Sequence, residues 1–370
     1  MSPRRAPERN RTGGGGSHLV SWVASIARSD IVALKAYEHA AWEPDVTRLH
    51  ANELPWRAPG DHSFQGLNRY PEPQPRELIQ RLASLYRVPS SAVLVGRGSD
   101  EAIDLLIRGF CRAGQDAVLV CPPTFGMYAV CAQIHGAQVL SVPLRSEDGF
   151  SLDEEAVLER CTPEVKIVFL CSPNNPTGNL LSARAIRRIA KALTGRSLVA
   201  VDEAYVEFSG EESLTRHLPK LTNLAILRTL SKAHGLAGAR CGTLIADPEV
   251  ISLLKKVISP YAITQLTLEA VMKLVDPSNV ATMRERTGLI RAERERVAQA
   301  LSRLKCVKRV WPSCANFILA EFEDAARALS QASAAQLQVR DARGYPGLSN
   351  ALRITIGTAA QNERLLQAWA

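Results

Sequence analysis

Between residues 92 and 246 the chain repeats one alternation: a short, β-branched, almost wholly apolar run, then a stretch with helical spacing. The apolar runs are 92–95, 117–121, 137–142, 165–171, 197–202, 224–229 and 241–246. Runs so poor in polar residues predict strands buried on both faces. Between two of them, Ile103, Leu106, Ile107 and Phe110 follow the i, i+3, i+4, i+7 spacing of a helix with one apolar face. Helices are expected over 76–87 and 99–111. Strands alternating with helices predict an α/β fold: an open, mostly parallel sheet covered on both sides.

After residue 262 the texture changes. A long charged helix is expected over 283–304, with Ile290, Val297, Leu301 and Leu304 on one face. Apolar runs at 316–320 and 352–356, separated by a helical pattern at 323–335, predict a smaller α+β domain. A helix within 18–40 and a short strand over Val46–Leu49 are expected to complete it. The division expected is therefore a flexible tail at 1–17, a small domain from 18–58 and 262–370, and a large ligand-binding domain at 59–261. The tail is rich in Arg and Pro and ends in a glycine run, Gly13–Ser17. Five prolines between Pro55 and Pro75 predict an irregular crossover.

Composition narrows the class. With 370 residues, 46% of them hydrophobic and 22% charged, the chain can bury large cores without disulfides or metal staples. No run approaches 18 apolar residues, so no membrane-spanning helix is expected. The net charge is +8, concentrated partly in 284–309, where nine Lys/Arg face three Glu. No aromatic and glycine-rich nucleic-acid module accompanies that charge, so a solvated surface and phosphate-bearing small ligands are expected, and no nucleic acid. The eight cysteines show no C-x-x-C and no Cys/His ligand spacing. They read as buried free thiols of a reducing compartment, with no metal. The stretch 18–27 is short, interrupted by polar residues and makes a poor secretory signal, so a cytoplasmic location is expected.

In an open α/β sheet, ligands bind beyond the carboxyl ends of the strands. Five expected strand ends lead into Gly96-Arg-Gly-Ser-Asp-Glu101, Pro122-Pro-Thr-Phe-Gly126, Ser172-Pro-Asn-Asn-Pro-Thr-Gly178, Asp202-Glu-Ala-Tyr205 and Leu230-Ser-Lys232. Taken singly, Ser99 reads as a helix cap, Lys232 as a surface lysine, and Asp202 as a turn former or a functional group. Together they bring a lysine, an acid, a tyrosine, an asparagine, an aromatic and a helix N-terminus to one place. Pyridoxal phosphate accounts for that set. A lysine forms a Schiff base with its aldehyde, an acid keeps its ring nitrogen protonated, and its phosphate suits a helix N-terminus and an arginine.

The motifs Cys171-Ser-Pro-Asn-Asn-Pro-Thr-Gly178, Asp202-Glu-Ala-Tyr205 and Arg228-Thr-Leu-Ser-Lys232 with Arg240 resemble those of the fold-type I, class I/II aminotransferases. Asn68-Arg-Tyr-Pro-Glu-Pro73, Pro122-Pro-Thr-Phe-Gly-Met-Tyr128 and Leu352-Arg-Ile-Thr-Ile-Gly357 are similar to the histidinol-phosphate branch. The likeness runs in order from about residue 30 to the C-terminus. It implies that Lys232 is the Schiff-base lysine and proton shuttle and that Asp202 pairs with the ring nitrogen. Tyr205 and Asn175 would bond the ring oxygen, and Phe125 would stack on the ring. Ser99, Asp100 through its backbone, Thr229, Ser231 and Arg240 would hold the phosphate. Tyr70 would reach the cofactor of a neighbouring subunit, implying a homodimer. Arg353, assisted by Arg340, would bind the anionic end of the substrate.

The reaction implied is transamination of L-histidinol phosphate with 2-oxoglutarate. An aromatic amino-acid aminotransferase or a threonine-phosphate decarboxylase would share most of these residues. Leu54, Phe125 and His234 depart from the usual pattern, and they bear on substrate range more than on the cofactor. A non-catalytic sensor carrying a DNA-binding module is disfavoured, because it needs roughly 60 structured residues ahead of the core and only 29 precede the likeness.

Overall fold

The computed structural model describes residues 21–38, Glu43 and 46–370. The tail expected at 1–17 lies outside these residues, as do 18–20, 39–42, 44 and 45.

The alternating region forms a seven-stranded sheet. Its strands are β1 (Val93–Gly96), β2 (Ala117–Val120), β3 (Gln138–Ser141), β4 (Val165–Cys171), β5 (Leu198–Asp202), β6 (Leu224–Thr229) and β7 (Gly242–Ile245). Across the sheet the order is β1-β7-β6-β5-β4-β2-β3. Only β7 runs against its neighbours. The carboxyl ends of β1, β2, β4, β5 and β6 therefore share one edge, which is what the sequence required for a single site.

Both faces of this sheet are covered. Along β4, Val168 and Leu170 join one core while Ile167 and Phe169 join the other; along β5, Val199 and Val201 divide from Leu198 and Ala200 in the same way. Period-two side chains of a central strand have two faces to fill, and both are filled by apolar residues. The helices Arg76–Tyr86 and Ala183–Ala192 cover the first face; Ser99–Phe110 and Pro248–Leu254 cover the second.

A second, antiparallel sheet comprises β8 (Val307–Val310), β9 (Phe317–Phe322), β10 (Arg340–Asp341) and β11 (Ala351–Thr355), in the order β10-β11-β9-β8. Ile318, Phe322, Leu352 and Ile354 pack on Val297, Leu301 and Trp369 from the flanking helices. Strand β8 had no clear signal in the sequence. It is an edge strand reading Val-Lys-Arg-Val with exposed charged residues at its centre, a pattern that blunts edges. The long charged helix starts earlier than expected, at Pro277. Asp276 caps it by accepting the Asn279 N–H at 2.7 Å, with proline at the first helical position.

The N-terminal expectations need correction. The helix sought within 18–40 is two short ones, Trp22–Ile26 and Ser29–Ala33. The chain is extended at Arg28, whose N–H donates to the Gly109 carbonyl at 3.1 Å. These helices pack on the large sheet's helical layer, not on the small sheet: Val23 and Ile26 join the core that holds Ile103 and Phe110. Val46–Leu49 is not a strand. Leu49 is 92% exposed, and a strand without a partner strand or a core has nothing to hold it.

Candidate active site

The carboxyl edge of the large sheet opens into a cavity of about 150 Å³. Its lining includes Ser99, Asp100, Phe125, Asn175, Asp202, Tyr205, Thr229, Ser231, Lys232 and Arg240, which is every cofactor residue expected within one chain. The cavity lies where the strand order reverses, with the loop after β2 carrying Phe125 and the loop after β4 carrying Asn175. Such a reversal leaves a crevice between diverging loops.

These two loops are tied together by Asn174. Its Oδ1 accepts from the Thr124 hydroxyl at 2.8 Å, and its Nδ2 donates to the Pro123 carbonyl at 2.8 Å. The register Cys171↔Asp202 then sets the acid beside the end of β4. Asp202 is buried, and both of its oxygens are engaged. Oδ1 accepts from the Ala204 N–H at 3.0 Å and Oδ2 from the Tyr128 hydroxyl at 2.8 Å. Burial pushes the Asp202 carboxyl up to about 6, against the hydrogen bond from Tyr128, which favours the anion.

At the opposite end of the cavity, the Ser99–Phe110 helix begins at Gly98 without a side-chain cap. Ser99 is thus the first residue of the helix and not its cap, which leaves the first-turn N–H groups unclaimed by a capping side chain. The Arg240 guanidinium lies over this end, 3.3 Å from Asp100 Oδ2 and 3.5 Å from Ser231 Oγ. The Thr229 hydroxyl donates to Ser231 Oγ at 3.0 Å. A Cβ at Gly98 would come within 2.9 Å of Arg240, and one at Gly242 within 2.6 Å of the Ser99 nitrogen. Gly98 is required by its positive φ of 92° and by the guanidinium beside it, and Gly242 by the close approach of β7 to the helix start.

Lys232 lines the same cavity, with Nζ 5.7 Å from the centre of the Tyr205 ring. Burial of its ammonium among the walls, with repulsion from Arg353 next, lowers its pKa below the lysine range. The small sheet closes this side. Tyr205 meets Phe317 of β9 edge-to-face at 5.1 Å, and the Arg353 guanidinium of β11 lies 5.2 Å over the Phe317 ring. Arg353 Nη1 donates to Asn175 Oδ1, and its buried Nε has no hydrogen-bond partner among the described residues. Arg340 sits directly opposite Arg353 in the β10–β11 register, so the two side chains leave the same face of the sheet.

Tyr70 stands apart from this cavity. It is half-exposed, stacks on Tyr261 at 4.4 Å and donates its N–H to Glu53 at 2.7 Å. Nothing local in the sequence marks Tyr128 as a site residue. Only the fold brings its hydroxyl to Asp202, 74 residues away.

The donor set fits pyridoxal phosphate. An uncapped helix N-terminus, an arginine and two hydroxyls suit a phosphate dianion, and a Cβ at Gly98 would fill that cradle. A buried carboxylate and a lysine of lowered pKa occupy the rest of the same cavity. Among the described residues, no group of His, Cys, Asp or Glu could hold a metal ion, and no helix is long and apolar enough to cross a membrane.

Comparison with known proteins agrees with this geometry. The chain is 46% identical over 351 residues to a histidinol-phosphate aminotransferase of Stenotrophomonas maltophilia, covering 94% of this chain and 96% of that one. The fold is shared with the crystal structure of the histidinol-phosphate aminotransferase from Clostridium acetobutylicum, at a TM-score of 0.74 and 24% identity, covering 82% of this chain and 90% of that one. It is shared equally with the histidinol-phosphate aminotransferase of Sinorhizobium meliloti in complex with pyridoxal-5'-phosphate, at a TM-score of 0.74 and 23% identity, covering 82% of each chain. Residues 36–368 match the family described as aminotransferase class I and II. With nine-tenths of its length inside that family, the chain belongs to the class I and II aminotransferases.

Proposed function

We propose that this aminotransferase moves the amino group of L-histidinol phosphate to 2-oxoglutarate, giving imidazole-acetol phosphate and L-glutamate as a step in histidine biosynthesis. The observation that carries this choice of substrate is the 46% identity, over nearly the full length, to a protein named for it. Bound pyridoxal phosphate supplies an aldehyde carbon that exchanges amines and a ring that takes up the electrons of a broken C–H bond.

The chain's own residues have distinct tasks in this reading. Ser99, the Asp100 backbone, Thr229, Ser231 and Arg240 hold the phosphate, and Phe125 covers the ring. Asp202, as the anion, would accept a hydrogen bond from the protonated ring nitrogen and keep the proton there. Asn175 already has its Oδ1 engaged by Arg353, which leaves Nδ2 to donate to the ring oxygen beside Tyr205. Lys232 Nζ would take the proton from the amine-bearing carbon of the substrate and hold it for return. Its lowered pKa supports this, since the neutral amine is the base. Arg353 and Arg340 take the phosphate of the donor and then the carboxylate of 2-oxoglutarate, because a guanidinium fork suits either anion.

The enzyme is read as a cytoplasmic homodimer in which Tyr70 reaches the partner's cofactor. The stretch 49–70 supports this by exposing Leu49, Leu54, Trp56, Phe64, Leu67 and Tyr70, more apolar surface in one segment than a monomer usually leaves uncovered. The eight free cysteines support a reducing compartment.

Single-turnover spectra of the loaded protein test the assignment. Histidinol phosphate alone should bleach the visible cofactor band rapidly, and Lys232→Ala should lack that band. Equal bleaching by phenylalanine would make this an aromatic aminotransferase. Carbon dioxide release from phosphothreonine would make it a decarboxylase.

A further inference from the structure

The hydroxyl of Tyr128 touches the cofactor acid, although Tyr128 is not among the residues that line the cavity. Tyr128 belongs to the helix Met127–His135 and is completely buried. Its ring stacks on Phe169 of β4 at 4.9 Å with the planes 2° apart, and Phe125 meets it edge-on at 5.6 Å. The ring therefore has little freedom to turn, and its hydroxyl stays on Asp202 Oδ2 at 2.8 Å. With Ala204 on Oδ1, the carboxylate has one fixed donor on each oxygen.

We propose that Tyr128 is a positioning residue for Asp202: its hydroxyl fixes the carboxylate plane and keeps that group anionic, so that the proton shared with the cofactor's ring nitrogen stays on the nitrogen. The inference rests on the assignment of pyridoxal phosphate to this cavity. A buried carboxylate with no donors would hold its own proton, and the ring would then lose its capacity to take up electrons. Burial does push Asp202 upward, and the tyrosine opposes that push. Other groups face the acid. Cys171 approaches from β4, Asp100 from the helix above, Lys232 from the loop after β6, and Tyr205 from the turn after β5. Asp100 raises the Asp202 pKa and Lys232 lowers it; Cys171 also bonds to the Tyr128 hydroxyl, so a change at 128 frees it as well.

The test compares wild type with Tyr128→Phe, which keeps the ring and removes only the hydroxyl. Each is loaded with pyridoxal phosphate labelled with ¹⁵N in the ring, and the nitrogen resonance is followed across pH. In wild type the nitrogen should stay protonated through neutrality. In Tyr128→Phe it should lose its proton about one pH unit or more earlier, with cofactor affinity down about tenfold, as for the loss of one hydrogen bond to a charged group. Site-specific 3-fluorotyrosine at 128 keeps the fold and strengthens the donor, so it should move the midpoint the other way. This second substitution decides the matter if Tyr128→Phe fails to fold. An unmoved nitrogen midpoint in a folded variant that binds the cofactor overturns the inference alone. Wild-type protein that takes up no pyridoxal phosphate overturns the cofactor assignment and this inference together.

Discussion

Asp202 carries opposite demands from folding and from function. Its carboxyl is buried and pushed from an ordinary 3.8 to about 6. A raised acid pKa means that the folded apoprotein binds a proton which the unfolded chain has already released. The associated stability is present below about pH 4 and is lost as pH rises through 6. Asp202→Asn cannot make that loss. We expect apo Asp202→Asn to be more stable than apo wild type at pH 7.5, by about 2–3 kcal/mol, with the gap closing near pH 4. The same variant should hold pyridoxal phosphate poorly. Denaturant titrations at the two pH values measure the first effect, and equal stability at pH 7.5 would show that the buried acid costs nothing.

Arg353 acts on two partners. It repels the Lys232 ammonium and, in the proposed reaction, holds the substrate anion. Arg353→Ala should raise KM for glutamate and for the phosphorylated amine together, by about tenfold or more. It should also move the pH midpoint for capture of pyridoxal phosphate by Lys232 upward, because one source of repulsion is gone. A KM change for only one of the two substrates would place the other anion elsewhere.

At the level of elements, the cavity depends on how closely β7 approaches the start of the Ser99–Phe110 helix. Gly242 pairs with Gly96 of β1 and Thr229 of β6, and a Cβ there would overlap the backbone of Gly98 and Ser99. No flexible side chain is available to yield. Gly242→Ala should therefore destabilise the protein by about 2 kcal/mol or more and weaken phosphate capture, with inorganic phosphate losing its protection against thermal unfolding. The long helix Pro277–Leu301 shows the same economy of position. Its buried Arg294 donates to the Phe208 carbonyl at 3.3 Å and the Ala315 carbonyl at 2.9 Å, binding the large unit to the small one beside the site.

For the whole molecule, the mass is the simplest observable. A homodimer should sediment at twice 40.3 kDa. Phe64→Asp should shift it toward monomer, since Phe64 is exposed within the apolar stretch. Tyr70→Phe should weaken cofactor binding without changing assembly; an effect confined to substrate kinetics would argue against a role across the interface.

The central strands and nearly all of the cavity lining were legible in the sequence, for a physical reason. A strand buried on both faces has to be apolar over most of its length, so runs such as Ala117–Val120 and 167–171 announce themselves. In an open sheet the residues that follow such runs meet at one edge, so Asn175, Asp202 and Lys232 could be brought together from spacing and motif. Other features depend on surfaces that exist only once the chain has folded. Val23 and Ile26 could have lain on either sheet, and only the exposed apolar flank of the Ser99–Phe110 helix decided which. Strand β8 is an edge whose polar residues face water, so its composition does not distinguish it from a loop. The bond from Tyr128 to Asp202 joins residues 74 positions apart. No local pattern encodes it, because it follows from the packing of one helix against the sheet: the sequence determined which groups reach the active edge, and the tertiary structure decided which of them hold the others in place.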